Sequence, residues 1–84
     1  MRIKIDNTQI VEISRAWIET DPDSEQDQLF VENSKAVYRI LPRSTNTLES
    51  LAFFNTSVKD CFNQLLRNGY LNNTQVFIEL WEEK

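Results

Sequence analysis

The stretch LFVENSKAVYRILP, residues 29–42, decides the fold because it contains two β-rich runs joined by a turn. β-Branched and aromatic residues dominate both runs, and such residues favour strands. The pair Asn33-Ser34 suits a tight turn between them, since asparagine tolerates positive φ. Pro42 ends the second run because proline has no N–H to donate to a strand ladder. The stretch therefore predicts an antiparallel hairpin.

On the amino-terminal side, alternation of apolar and polar residues predicts two further strands, at about residues 2–6 and 9–19. A helix is the alternative for the second segment, because its apolar residues also fit one helical face. Asp6 and Gln9 would then form a capping box at its start. The β-branched run in residues 10–13, IVEI, favours a strand.

On the carboxyl-terminal side, apolar residues between positions 48 and 66 recur at helical spacing. Asn46 with Glu49 forms a start signal, and Gly69 lies where a left-handed cap ends a helix. The triplet at residues 55–57, NTS, interrupts good helix formers. The pattern therefore predicts one kinked helix or two short helices.

Residues 75–82, QVFIELWE, alternate again and predict a final strand. The predicted fold class is therefore α+β, with an antiparallel or mixed sheet of four to five strands and the helix packed on one face, in the order β-β-β-β-α-β. A chain of 84 residues has material for one core. Residues 1–84 are therefore expected to form a single small globular domain.

An acidic segment at residues 20–28 separates the second strand from the hairpin, and residues 16–34 together carry a formal charge of −6. The segment is predicted to be a mobile loop, because it has no apolar residue to bury. Its carboxylates alternate from Asp21, and Glu32 is twelfth in the series, which is the spacing of a calcium-binding loop. Gln26 stands where such a loop needs glycine, so a solvated loop or one that meets a basic partner is favoured over calcium.

Composition excludes several kinds of chemistry. The chain has no histidine, which removes the commonest general base and every imidazole metal ligand. The lone Cys61 cannot form an internal disulfide or a thiolate zinc site, and it suits a reducing, cytoplasmic setting. One glycine cannot build a phosphate-binding loop. We therefore predict no catalytic residue, no metal, no cofactor and no enzymatic activity.

Nucleic acid and membrane are also disfavoured as partners. The net charge is −4, which opposes attraction to phosphate. No apolar run approaches the length of a membrane span. A scattered set of basic residues keeps nucleic acid as a weaker alternative, namely Lys35, Arg39, Arg43, Lys59 and Arg67.

The aromatic residues give the strongest indication of function. If the helix covers one sheet face, the opposite face is predicted to carry aromatic and apolar residues mixed with glutamates, a composition typical of a protein interface. This face would contain Phe30, Phe77, Trp81, Ile10, Ile18, Glu12, Glu32 and Glu79. The covered face would contain Ile3, Ile5, Val11, Ile13, Leu29, Val31, Val76, Ile78 and Leu80.

The sequence thus predicts a small acidic protein-binding module that acts by occupying a partner surface, as inhibitors, immunity-type proteins and virus-encoded antagonists of host defence do. Aromatic anchors would be desolvated in the complex, and acidic residues would steer a partner with a basic surface. The predicted partner-binding residues are Phe30, Phe77, Trp81, Asp21, Asp23, Glu25 and Asp27. The alternative is a structural subunit whose aromatic face is buried in a homodimer or a larger assembly.

Overall fold

The computed structural model describes residues 1–42, 50–72 and 76–84, and for residues 50–57 the backbone only. These ranges contain seven strands and one helix. In chain order they are β1 (Arg2–Lys4), β2 (Ile10–Glu12), β3 (Arg15–Thr20), β4 (Asp27–Glu32), β5 (Ala36–Pro42), α1 (Ser50–Asn68), β6 (Tyr70–Leu71) and β7 (Val76–Glu83).

The strands form two sheets, and the α+β fold class predicted from the sequence is confirmed. The larger sheet has the order β3-β4-β5-β7 and is antiparallel throughout. The smaller sheet has the order β2-β1-β6, with β2 antiparallel and β6 parallel to β1. Two features differ from the expectation: the strands divide between two sheets, and the two-residue strand β6 follows the helix.

The predicted strand at residues 9–19 is two strands, and the helical alternative for this segment is wrong. The break lies where consecutive residues bond to different sheets. The Ile13 N–H donates to the Met1 carbonyl oxygen at 2.7 Å, in the smaller sheet. The Ser14 N–H donates to the Glu32 carbonyl oxygen at 2.8 Å, in the larger sheet. The chain therefore passes from one sheet to the other within a single peptide unit.

The hairpin of β4 and β5 is confirmed, although its turn works differently from the prediction. The Asn33 side-chain oxygen accepts hydrogen bonds from the N–H groups of Lys35 and Ala36, at 2.8 and 3.0 Å. The Asn33 N–H donates to the Ala36 carbonyl oxygen at 3.0 Å. Among the non-glycine residues that the structure describes, only Glu25 has a positive φ. Asparagine thus closes this turn through its side chain.

The helix α1 runs without interruption from Ser50 to Asn68, so the triplet at residues 55–57 does not divide it. The start signal expected from Asn46 and Glu49 lies outside the described residues. Gly69 ends the helix as predicted: its φ is +67°, and its N–H donates to the Leu65 carbonyl oxygen at 2.8 Å. The Gly69 carbonyl oxygen then accepts the Arg2 N–H at 2.8 Å, which joins the helix end to β1.

The core lies between α1 and the two sheets. Its helical part consists of Val58, Cys61 and Leu65, which recur at the spacing of one helix face. Burial raises the pKa of the Cys61 thiol, and the neighbouring Asp60 carboxylate adds to the shift. Leu80 was predicted to be covered but is half-exposed. The other buried members of the core are Ile3, Ile13, Leu29, Val31, Ile40, Leu71 and Val76.

Candidate interaction surface

The larger sheet has one face turned away from the core, and we call it the outer face. Strand alternation places residues such as Leu29, Val31 and Ile40 toward the core and their chain neighbours on the other side. The pairing register brings side chains from all four strands together there. Residues of this face include Arg15, Trp17, Glu19, Phe30, Glu32, Val37, Arg39, Leu41, Phe77, Glu79, Trp81 and Glu82.

Three rings on this face form an aromatic cluster of Trp17, Phe30 and Trp81. Trp17 is opposite Phe30 in the β3–β4 register, and their rings stack with centroids 5.8 Å apart. Trp81 meets Phe30 edge to face, with centroids 5.2 Å apart. Both arrangements are favourable for aromatic pairs. Phe30 is therefore on the predicted face, but it is only 2% exposed and forms the base of the cluster, whereas Trp81 is 51% exposed.

A β-bulge positions Trp81 in this cluster. Tyr38 of β5 pairs with Leu80 of β7, but the residue before Tyr38, Val37, pairs with Glu82. Trp81 is thus the extra residue of β7, opposite no residue of β5. A bulge of this kind re-aims side chains and increases local twist. The bulge explains why two successive residues, Trp81 and Glu82, both lie at the same end of the aromatic cluster.

Two arginines lie over the tryptophan rings. The Arg15 guanidinium carbon is 4.3 Å from the centre of the Trp17 ring, and that of Arg39 is 5.1 Å from the Trp81 ring. Both distances are within the range of a cation–π contact. Arg39 is also fixed by Glu79, whose Oε2 accepts hydrogen bonds from Nη2 at 2.7 Å and Nε at 3.0 Å.

Arg15 is held less firmly than Arg39. Its Nε is 3.6 Å from Glu32 Oε1, and its side chain is 64% exposed. Glu32 is shared with Lys84, whose Nζ is 3.2 Å from Oε2. Exposed pairs at such distances contribute little to stability. The guanidinium of Arg15 is therefore free to move off the Trp17 ring at low cost.

The side chains of the outer face enclose a shallow groove of about 280 Å³. Trp17 and Trp81 form its walls, and Phe30 with Val37 forms its base. Its rim consists of the charged side chains Arg15, Glu19, Glu32 and Glu82. Beyond the groove, Phe77 is opposite Leu41 in the register. Phe77 is 51% exposed, as expected for a residue of an open face.

The acidic segment forms a hydrogen-bonded turn between β3 and β4. The Asp21 N–H donates to the Gln26 carbonyl oxygen at 2.8 Å, and the Glu25 N–H donates to the Asp21 carbonyl oxygen at 2.8 Å. The Asp21 carboxylate accepts the Asp23 N–H at 2.9 Å. Asp23 and Glu25 are exposed, and Glu25 has a φ of 58°. We call residues 21–26 the acidic turn.

Asp27 was predicted to face a partner with the rest of this segment, but it points toward the core side. It is the first residue of β4 and is buried. Its Oδ1 accepts the Thr20 hydroxyl at 2.8 Å, and Lys59 Nζ from the helix is 3.6 Å from its Oδ2. Glu32, the last member of the calcium-like series, lies at the other end of β4. The carboxylates with calcium-like spacing are therefore divided among the acidic turn, the core side of the larger sheet and its outer face.

Three members of the predicted aromatic face lie elsewhere. Ile10 and Glu12 belong to β2 in the smaller sheet, and Ile18 packs against the core. Trp17 takes the place on the outer face that the sequence assigned to Ile18. The prediction also missed Arg15 and Arg39 as ring partners. Arg15 lies two residues before Trp17 on β3, whereas Arg39 reaches Trp81 from the neighbouring strand β5.

No protein-family model, curated protein or solved structure matches this chain. The fold and the groove define it as a small α+β domain with an aromatic outer face. Within the described ranges no helix has the length and apolar character needed to cross a membrane. The described residues also contain no group of three Cys, Asp or Glu side chains that could hold a metal ion together.

Proposed function

We propose that this chain is a non-catalytic, intracellular protein-binding module that acts by occupying a partner surface with its outer face. The observation that carries the proposal is the aromatic cluster, with half-exposed Trp81 at its edge and half-exposed Phe77 on the same strand. The helix packs against the other side of the larger sheet, where it contacts β3, β4 and β5. Rigid aromatic anchors surrounded by charged residues are typical of interface hot spots.

The charge distribution supports a partner with a basic surface. The chain carries a net charge of −4, and the acidic turn presents Asp23 and Glu25 to solvent at one end of the larger sheet. Complementary charge of this kind raises the rate of association and selects the partner. Asp27 takes no part in this role, because its carboxylate is bound to Thr20 and Lys59.

The alternative is that a second copy of the chain covers the outer face. The edge strand β7 argues against simple pairing of two copies through their edges. It carries Glu79, Glu82 and Glu83, and acidic residues on an edge strand oppose edge-to-edge association. Light scattering coupled to size exclusion distinguishes the two cases, since the partner-binding module is expected at 9.9 kDa and the dimer at twice that mass.

The direct test is affinity capture from a lysate of the source cells with three forms of the chain. The wild type is compared with Trp81→Ala and with Leu66→Ala, which truncates an equally exposed residue on the helix, 58% against 51% exposed. We expect partners that are retained by the wild type and by Leu66→Ala but lost with Trp81→Ala. Retention of the same partners by Trp81→Ala, with its fold verified by circular dichroism, would contradict the proposal.

A further inference from the structure

We propose that the groove of the outer face receives an arginine side chain of the partner polypeptide, between the rings of Trp17 and Trp81. This inference rests on the proposed function and adds the chemistry of the ligand. It also assigns a role to Arg15, whose guanidinium occupies the Trp17 ring in the free protein and gives way to the arginine of the partner.

The size of the groove favours a single side chain. Its volume of about 280 Å³ is at or below the lower limit for sites that enclose small molecules. The groove is also open to solvent along its rim, where a polypeptide backbone can pass. One long side chain lying on the base formed by Phe30 and Val37 matches this shape.

The chemistry of the groove favours a cation. Its walls are indole rings, whose faces attract cations through their quadrupole. Its rim has three carboxylates, Glu19, Glu32 and Glu82, against the guanidinium of Arg15 and the ammonium of Lys84, both of which pair with Glu32. Glu82 makes no ion pair with any residue in the described part of the chain, so its carboxylate is available to a ligand. The Glu19 carboxylate accepts the Trp17 indole N–H at 3.2 Å, which places a negative charge beside that wall.

The protein's own arginines favour a guanidinium over an ammonium group. Both tryptophans already have a guanidinium over the ring, at 4.3 Å for Arg15 and 5.1 Å for Arg39. A guanidinium is planar and weakly hydrated, so it stacks on an aromatic face more readily than an ammonium does. Arg39 cannot be exchanged easily, because Glu79 binds it at 2.7 Å. Arg15 is the exposed and weakly paired one, and it is the occupant that a ligand displaces.

The test is a titration of the ¹⁵N-labelled chain with the capped peptide Gly-Arg-Gly-Arg-Gly, observed at the indole N–H signals of Trp17 and Trp81. The control peptide has citrulline in place of both arginines, which keeps the planar shape and removes the charge. We expect saturable shifts with the arginine peptide and about tenfold weaker binding of the citrulline peptide, given the usual strength of cation–π contacts. Equal affinity for the two peptides would overturn the inference.

Charge-matched variants separate the groove from the general acidity of the chain. Glu82→Gln removes a carboxylate from the rim, and Glu12→Gln removes one from the smaller sheet with the same change in net charge. The rim variant is expected to weaken binding about twofold to fivefold, as is usual for an exposed ion pair, and the control much less. Equal effects would mean that the peptide senses only net charge, and the groove would be excluded as its site.

A second pair of charge-matched variants tests the displacement of Arg15. Arg15→Gln and Arg67→Gln each remove one positive charge, but only Arg15 lies over a groove ring. If Arg15 competes with the ligand, Arg15→Gln tightens binding of the arginine peptide more than Arg67→Gln does. If Arg15→Gln instead weakens binding, Arg15 supports Trp17 and the displacement is wrong.

Failure of this inference can be distinguished from failure of the proposed function. If the arginine peptide does not bind while Trp81→Ala still loses partners that Leu66→Ala keeps, the outer face binds partners through other chemistry. If the peptide binds but Trp81→Ala keeps every partner, the groove recognises arginine and the proposed function fails.

Discussion

The contact of Phe30 with Trp81 can be measured as a coupling between two substitutions. The Trp81 side chain has an area of about 200 Å² and is half-exposed, so roughly half of that area is buried in the native state. Truncation to alanine loses this buried area. At about 25 cal/mol per Å² this is an upper limit of about 2.5 kcal/mol. Phe30→Leu keeps most of the buried volume and is expected to cost about 1–2 kcal/mol. Phe30→Leu is preferred to Phe30→Ala because it leaves the domain folded.

The double variant should lose less stability than the sum of the single losses. Once Trp81 is absent, the ring of Phe30 no longer has its edge-to-face partner at 5.2 Å. Edge-to-face pairs contribute about 0.5–1.5 kcal/mol beyond buried area, and this is the expected coupling energy. Urea unfolding followed by circular dichroism measures all four free energies without relying on the tryptophan signal.

A second cycle provides the control. Leu66 is on the helix, on the opposite side of the larger sheet, so Leu66→Ala and Phe30→Leu should be additive within about 0.5 kcal/mol. If Phe30→Leu and Trp81→Ala are equally additive, Trp81 does not cover Phe30 in solution. The groove would then lack one of its walls, and the reasoning on the outer face would be refuted.

Three further predictions concern single residues. Gly69→Ala should lower the free energy of unfolding by about 1 kcal/mol through backbone strain alone, because φ is +67° and, apart from its two chain neighbours, no described residue has an atom within 4 Å of the added Cβ. Gly69→Asn should cost less in the same urea assay, since asparagine tolerates this conformation, and equal losses would argue against strain. The hydrogen bonds from the Thr8 N–H and hydroxyl lower the pKa of Asp6 below its ordinary value of 3.8. The contribution of Asp6 to stability is therefore present above pH 3.8 and is lost as the pH falls through the lower pKa. Thr8→Val should raise the pKa of Asp6 toward 3.8 in a carboxyl NMR titration, and an unchanged pKa would show that the hydroxyl is not bound. Because burial raises its pKa, Cys61 should react with iodoacetamide far more slowly in the native chain than in urea, whereas equal rates would place the thiol at the surface.

The sequence predicts those elements whose signals are local. The hairpin of β4 and β5 follows from two apolar runs and Asn33, and the end of the helix follows from the one glycine, Gly69. Both signals work within a few residues, where turn chemistry and backbone conformation act directly. The same is true of β7, whose alternation is long enough to define a strand.

The largest error of prediction has a single cause, the break after Ile13. Ile13, the residue just after β2, faces the core, as the alternation predicts. Had one strand continued through residues 9–19 without a break, Trp17 would face the core like Ile13, and Ile18 would face outward. The break shifts the pattern by one residue, and with a period of two such a shift moves every later side chain to the other face. Trp17 was therefore missed, and Ile18 was predicted in its place.

The environment of the other site residues depends on pairing between distant segments. Phe30 is buried because Trp17 and Trp81 lie on either side of it, and they come from strands far apart in the chain. Asp27 alternates with the core residues Leu29 and Val31 along β4, and its carboxylate is accommodated on this inner side because Thr20 and Lys59 bind it. Neither fact has a local pattern in the sequence, since both require knowledge of which strands and helix are neighbours.

The position of Trp81 links the groove to the fraying of an edge strand. Val76 anchors the start of β7 in the core, whereas residues from Glu79 onward are exposed. Opening of this outer half exposes Trp81 and the Phe30 ring beneath it but leaves Val76 and the rest of the core in place, so it costs less than global unfolding. Each opening removes one wall of the groove while the core stays intact. If the groove binds a ligand as proposed, its apparent affinity is scaled by the population with β7 fully docked, and the bound ligand is expected to slow hydrogen exchange along that strand.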